Sequence, residues 1–458
     1  GPDGGGNGPA LGGQGAWVVV FRGGGGGLWG VDGMRGRAAC DQFDYHIKVI
    51  RQFAGQWPRP DLHDYLSATT PGYHLVMAAV ARYVTASTLG LQIAGSVFTI
   101  AMLGAFGWAV AWLGAARRRP TIELLALALP VVASPYVFTP GVWLLPDNAG
   151  WLFAALVLVL SLRGDVARPG RMLMLSASLL CTVLVRQSHL WVAAPMVTAA
   201  WLVATPEREG SLSAVLVNAS QRVRPLMVAL ASCVPAVVCL AIFAKMWGGL
   251  TPPAFQLQHE AGGLSRVNWA TAPFILSLVT VYSVFFGAHL LPAIGRVWRE
   301  ARDLIYVTAA VGFGWSVLAE TTYAFEHRSS GLWNVVRALD ARGIVVGQTS
   351  PLIVALATVG GPLLVVWLTM VEGRRRWVIA AAIAGFVAAQ SANANCWQRY
   401  HEPFLLILMG LIAAGAKGET GHRWRVLRIV GPVVLAVLLA VVCVQGLLTG
   451  RDPTVANP

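Results

Sequence analysis

Apolar stretches about as long as a bilayer is thick return along nearly the whole chain, separated by short polar breaks. The clearest are 91–115, 225–247, 272–295, 351–371 and 429–447. Shorter or proline-broken ones lie near 121–138, 150–162, 172–185, 190–204, 303–319, 377–390 and 403–416. A soluble core buries runs of about 10–14 residues, whereas a bilayer needs roughly 20 per helix. The pattern therefore predicts an all-α polytopic membrane protein, a bundle of about 12–13 transmembrane helices in all. Segment 71–85 is shorter, and crossing the membrane there would break the alternation of the loops, so it reads as an interfacial helix in the first outward loop.

Charge then gives the loops a direction. Six loops are basic: 117–120, 162–171, 205–224, 296–302, 372–377 and 417–428, together holding 19 of the 34 Lys and Arg residues. By the positive-inside rule they are cytoplasmic. The loops between them face outward, at 41–70, 139–149, 186–189, 248–271, 320–350 and 391–402. These carry Asp41, Asp44, Asp61, Asp64, Asp147, Glu260, Glu320, Glu326, Asp340 and Glu402, and most of the nine histidines. Acid and imidazole gather on one face, arginine runs on the other.

Composition narrows the class. Of 458 residues, 56% are hydrophobic and only 12% charged, with a mean hydropathy of +0.62. A net charge of +13 would suggest nucleic acid in a soluble protein. Here it follows from topology, and no nucleic-acid partner is expected. The six cysteines are scattered without a CxxC pair, so neither zinc nor a disulfide framework is indicated, and no metal or other cofactor is expected. The first 40 residues are glycine-rich and read as a degraded or miscalled leader that has lost a first span. The division that follows is 1–40, a first extracytoplasmic loop at 41–90, the bundle at 91–447 and a tail at 448–458.

Several outward stretches carry candidate chemistry. "DQFDYHIK" sets Asp41, Asp44 and His46 within six residues; an acid there can serve as general base on a hydroxyl, or simply cap an amphipathic helix. Asp147 in "LLPDNAGW" sits where a helix cap belongs. Arg186 in "LVRQSHLW" is different, because topology does not ask for an arginine beside hydrocarbon on the outward side. Its partner is either Asp147 or a bound phosphate. Arg399, Tyr400 and His401 in "QRYHEPF" repeat the theme, with an aromatic interfacial loop as the bland alternative. No P-loop, GxGxxG, GxSxG or HExxH motif stands in a fitting context.

Together these stretches resemble the dolichyl-phosphate-glucose-dependent alpha-glucosyltransferases, polytopic enzymes of the GT-C class. "HDYLSATTPGYH" (63–74) resembles that family's "WDPxITTxPGLY", with Asp64, Pro71 and Gly72 in register. "DNAG" (147–150) resembles its "DAG", "RQSHLW" (186–191) its "RQTNIIW", and "QRYHEPF" (398–404) its "FRYFxxPY". The family's paired acids before the first-loop histidine fall on Gln42 and Phe43, flanked here by Asp41 and Asp44.

The resemblance implies a GT-C-like bundle with its active site extracytoplasmic, and the Gly- and Arg-rich composition, with no feature requiring an endoplasmic reticulum, points to a bacterial relative in a plasma membrane. It implies inverting transfer of a sugar, glucose in the family, from a polyprenyl-phosphate donor to a hydroxyl of a lipid-linked glycan or similar acceptor. Asp44, Asp41 or Asp64 would be catalytic, while His46, Asp147, Arg186, Gln187, Arg399, Tyr400 and His401 would bind substrate. Partners would be the donor, the acceptor and membrane lipids. Two rivals stand beside it: a GT-C enzyme for mannose or arabinose, and a lipid or polysaccharide flippase, which would line the bundle with polar groups through its depth.

Overall fold

The computed structural model describes residues 37–164, 166, 168–205, 219–259, 267–416 and 422–449. The glycine-rich leader before residue 37 and the tail beyond residue 449 lie outside them, as do Glu260 and most of the 205–224 loop. The described residues are helical throughout, with two isolated β-bridges, Ala324 with Arg328 and Val346 with Thr349, as their only extended pairing.

Four helices are long and apolar enough to cross a bilayer alone: Thr88–Ala115, Gln221–Trp247, Pro351–Thr369 and Trp424–Leu448. Two bent pairs raise the number to six: Thr121–Ala133 with Pro135–Val142, bent by 64°, and Thr271–Phe285 with Gly287–Glu300, bent by 110°. Against the expected 12–13 spans, length and composition alone give four to six candidates among the described residues. The remaining apolar runs do form helices, but these are shorter, such as Asp147–Leu162 and Pro169–Val185. The run at 272–295 is bent at Phe286, and its second half continues as an amphipathic helix. His289, Leu290, Ala293 and Val297 of that half are buried, and Arg296 and Arg299 are exposed. The molecule is thus an all-helical, multi-pass membrane protein.

Its surface agrees with that setting. Val97, Ile100, Leu173, Ile242, Val307 and Val437 face outward with about half or more of their area open, as lipid-facing side chains do. Close helix contacts rest on small residues. A Cβ on Gly360 would run into the carbonyl of Leu276, and one on Gly361 into that of Thr308, so Pro351–Thr369 lies tight against both neighbours. Where the helix breaks at Ser134, its hydroxyl accepts from the Tyr136 amide at 3.2 Å and donates to Glu402 at 2.6 Å. The broken backbone thereby keeps its partners inside the bundle.

Contacts also sort the ends of the helices. Arg117 Nε donates to Gly415 O at 2.9 Å and Arg375 Nε to Leu162 O at 3.3 Å, which gathers the basic loops 117–120, 162–171 and 372–377 at one end. Residues 41–74, 143–148, 186–189 and 397–400 gather at the other, the separation the loop charges predicted. The expected interfacial segment is the Gly72–Tyr83 helix, too short to cross and packed on Ile47–Gly55 through Tyr73, His74, Met77 and Ala78.

Gly360→Ala is expected to lower stability by roughly 1–3 kcal/mol through overpacking. Gly104, which faces open space, should tolerate the same change or gain slightly from it. Thermal unfolding of the two variants in one detergent compares them directly.

Candidate active site

The site begins with an irregular helix. Arg37–Asp41 leads into a π-helical turn, Gln42–His46, and then Ile47–Gly55. Bonding from i to i+5 in a π turn brings residues five apart onto one side, here Asp41 and His46. Ile47, Val49, Ile50 and Phe53 anchor the second half in the core. Gln42, fully buried, fixes the turn itself. Its Oε1 accepts from Gln92 Nε2 at 3.0 Å and from the Leu144 amide at 2.9 Å. The position where the resembling family carries an acid is here a structural clamp.

Against this turn come three further segments. Asp147 opens the helix Asp147–Leu162 and pairs with Arg186 rather than capping its own helix. Arg186 ends the helix Pro169–Val185 in extended conformation, which swings its side chain toward Asp147. Arg399, in the first turn of Gln398–Gly415, pairs with Asp41 at 2.8 Å and donates to the Tyr400 hydroxyl at 3.1 Å. Tyr400 joins the two pairs. The Arg186 guanidinium lies 4.8 Å from its ring centre and that of Arg399 5.1 Å, with Trp397 4.6 Å from Arg399 on another side. The first turns of two helices, Asp147–Leu162 and Gln398–Gly415, therefore meet here, and helix N-termini favour anions.

His46 lies within the field of all four charges. Burial pushes its imidazole down to about 4 from an ordinary 6.5; Asp41 and Asp147 oppose that shift, and Arg399 and Arg186 add to it. Its Nδ1 shares a proton with His74 Nε2 at 2.9 Å, and burial together with His46 holds the His74 imidazole well below its ordinary value. The pair is neutral at pH 7.

A narrow cleft of about 70 Å³ reaches Asp147 and Arg399, with Tyr136, Thr139, Trp143, Ser330 and Trp397 around them. Its far wall is apolar, from Val442, Cys443, Gly446 and Leu447 near the end of the last described helix. A site for one water needs roughly 10–15 Å³ on this measure, so the cleft has room for a phosphoryl group. Among the described residues no three His, Cys, Asp or Glu side chains converge to hold a metal ion.

Of the candidates, Asp41, His46, Asp147, Arg186, Arg399 and Tyr400 converge. The others take different places. Asp44 is solvent-exposed on the same turn. Asp64, also exposed, accepts from the Ala254 amide at 2.9 Å and caps the short helix Pro253–His259. Gln187 bonds the Thr70 amide at 3.1 Å, Ala68 O at 2.8 Å and Leu250 O at 2.9 Å, holding two outward loops together. His401 is fully buried between Phe274 and Phe386, with Cys396 Sγ 3.5 Å from Nε2. It faces the core because it lies two residues past Arg399, on another side of the helix.

Sequence reasoning missed the partners of Glu402, which accepts from Ser134, Tyr282 and Gln398 at 2.6 Å each. The i, i+4 spacing of Gln398 and Glu402 was the available signal. It also missed Tyr136, Thr139 and Ser330, hydroxyl-bearing residues that nothing local marks.

Compared with known protein families, with curated proteins and with solved structures, the chain matches none.

The histidine pair sets a pH dependence. His46 binds its proton near pH 6.5 in the unfolded chain but only near 4 in the folded one. Its stabilising contribution is complete above the first value and is lost as pH falls toward the second. The unfolding temperature should decline across that window, and His46→Gln should shrink the decline. Identical pH profiles for variant and parent would refute the assignment.

Proposed function

We propose that this protein is a membrane glycosyltransferase that moves a sugar from a polyprenyl-phosphate donor to an acceptor hydroxyl at the outward face, with inversion. The observation that carries the reading is the meeting of two arginine–carboxylate pairs around Tyr400. Four stretches far apart in sequence supply it; those of Asp147, Arg186 and Arg399 resemble motifs of the family, while that of Asp41 departs from its paired acids. The sugar and acceptor class, glucose onto a lipid-linked glycan, rests on that resemblance alone.

The chemistry needs an anion site, a base and little else. Arg186 and Arg399 both stand against the Tyr400 ring, beside two helix N-termini, which suits a phosphodiester. Arrival of the donor phosphate competes with Asp41 and Asp147 for the guanidiniums and frees the carboxylates. Asp41 then takes the proton as the acceptor oxygen bonds to the anomeric carbon. The bond from that carbon to the phosphate oxygen breaks, and its electron pair leaves on the phosphate, where the arginines stabilise the charge. The apolar wall from Val442 to Leu447 gives the donor's lipid a path along the bundle. Asp41 is preferred over Asp44 because it touches Arg399, whereas Asp44 points to solvent. The flippase rival would move the labelled lipid across the bilayer without breaking the sugar–phosphate bond.

Purified protein given radiolabelled polyprenyl-phosphate hexoses and pentoses with lipid-linked glycan acceptors tests this. Asp41→Asn and Arg399→Ala should each reduce transfer by about 10²-fold or more, while Asp44→Asn keeps most of it. Full transfer by the first two variants, or translocation of label without transfer, overturns the reading.

A further inference from the structure

The opposite end of the bundle carries a second built cavity. Arg117, Arg374, Arg375 and Glu372 line a space of about 240 Å³ whose other walls include Leu113, Ile379 and Leu411. Three guanidiniums therefore face one carboxylate across a half-apolar pocket. A topology signal alone needs arginines in water, not arginines set in place, and these are set. Arg117 bonds Gly415 O at 2.9 Å and Glu372 at 2.7 Å. Arg375 bonds Leu162 O at 3.3 Å and lies 5.1 Å from the ring centre of Trp112. The Arg374 guanidinium rests over Gly164, at φ +79°, where any side chain would collide with it. Trp108, close to half exposed, stands beside Arg163 at 4.9 Å, as an aromatic ring does at a membrane interface.

We propose that this cavity binds an anionic phospholipid of the inward leaflet, its phosphate among Arg117, Arg374 and Arg375 and its chain along Leu113, Ile379 and Leu411. The charge selects an anion, and the apolar half of the lining selects one with a hydrocarbon tail over a free ion. Tight seating there would tie four helices together: Thr88–Ala115, Asp147–Leu162, Arg374–Ser391 and Gln398–Gly415. The inference uses the membrane setting and the inward loops, not the reaction at the other end.

Native mass spectrometry of the full chain tests it, in micelles doped with equal phosphatidylglycerol and phosphatidylcholine of the same acyl chains. Phosphatidylglycerol adducts should exceed phosphatidylcholine adducts by about tenfold, the worth of one charge-assisted contact. Arg374→Gln with Arg375→Gln should bring the ratio close to one. Arg342→Gln, an exposed arginine in the outward loop 320–350, should leave it unchanged. Equal binding of the two lipids by the parent protein, or a ratio that survives the double variant, overturns the proposal. Displacement of the lipid by millimolar inorganic phosphate would also overturn it, showing a site for the ion alone. Should the double variant fail to fold, the parent's lipid ratio and the phosphate competition still decide.

Discussion

A guanidinium close to hydrocarbon must have a partner, and the outward end of this bundle is arranged around that requirement. Arg186 and Arg399 stand at helix ends beside apolar spans, each only partly open to solvent. Removing one member of such a pair leaves the other charge stranded, a loss of up to about 3–5 kcal/mol when burial is complete and less at this exposure. The partners come from elsewhere in the chain, Asp147 for Arg186 and Asp41 for Arg399. Satisfying two arginines therefore docks the first outward loop and the helices Asp147–Leu162, Pro169–Val185 and Gln398–Gly415 against one another. Gln187 and Gln42 add neutral clamps, so the loop is held at several points.

Such a structure is also poised. On the proposed reading, the donor phosphodiester would offer each arginine a pair of oxygens as a carboxylate does, and its departure as a phosphomonoester would add a second negative charge for the two to share. Both guanidiniums lie close to the Tyr400 ring, whose π face attracts cations and offsets part of their mutual repulsion. The neutral histidine pair fits this logic. A cationic His46 would add a third positive charge beside two arginines, and burial keeps it uncharged.

How much of this could be read in the chain depends on the range of the signal. Helix positions were legible because an apolar run is local and long; that at 429–447 lies wholly within the helix His422–Thr449. The bends inside two of the runs were not legible, because a run of apolar residues does not record one. Phe286–Gly287 and Ser134–Pro135 turn the chain sharply inside runs that read as continuous. Arg186 and Arg399 were legible because charge beside hydrocarbon is rare. Choosing Asp41 over Asp44 was not, since both share one short stretch and only the π turn decides which faces Arg399. His401 and Gln187 looked like site residues by proximity to the arginines, yet helix geometry sends one to the core and the other between two loops.

The two ends of the bundle use the same residue for opposite purposes, and two helices connect them. Asp147–Leu162 and Gln398–Gly415 both begin at the outward site and end among the inward arginines. Arg375 binds the carbonyl of Leu162, while Arg117 and Arg119 bind those of Gly415, Ala414 and Ala416. Cations on helix C-termini satisfy carbonyls that have no partner in the helix and complement the negative end of the dipole. The same dipoles then present their positive ends to the outward cleft, where Asp147 and Asp41 are the anions at hand. Inward arginines are thus fixed to backbone and serve as anchors. Arg186 and Arg399 are held by the side chains of Asp147, Asp41 and Tyr400. That difference in what holds Arg117, Arg119 and Arg375 at one end and Arg186 and Arg399 at the other, rather than the count of charges, distinguishes the two ends of the bundle.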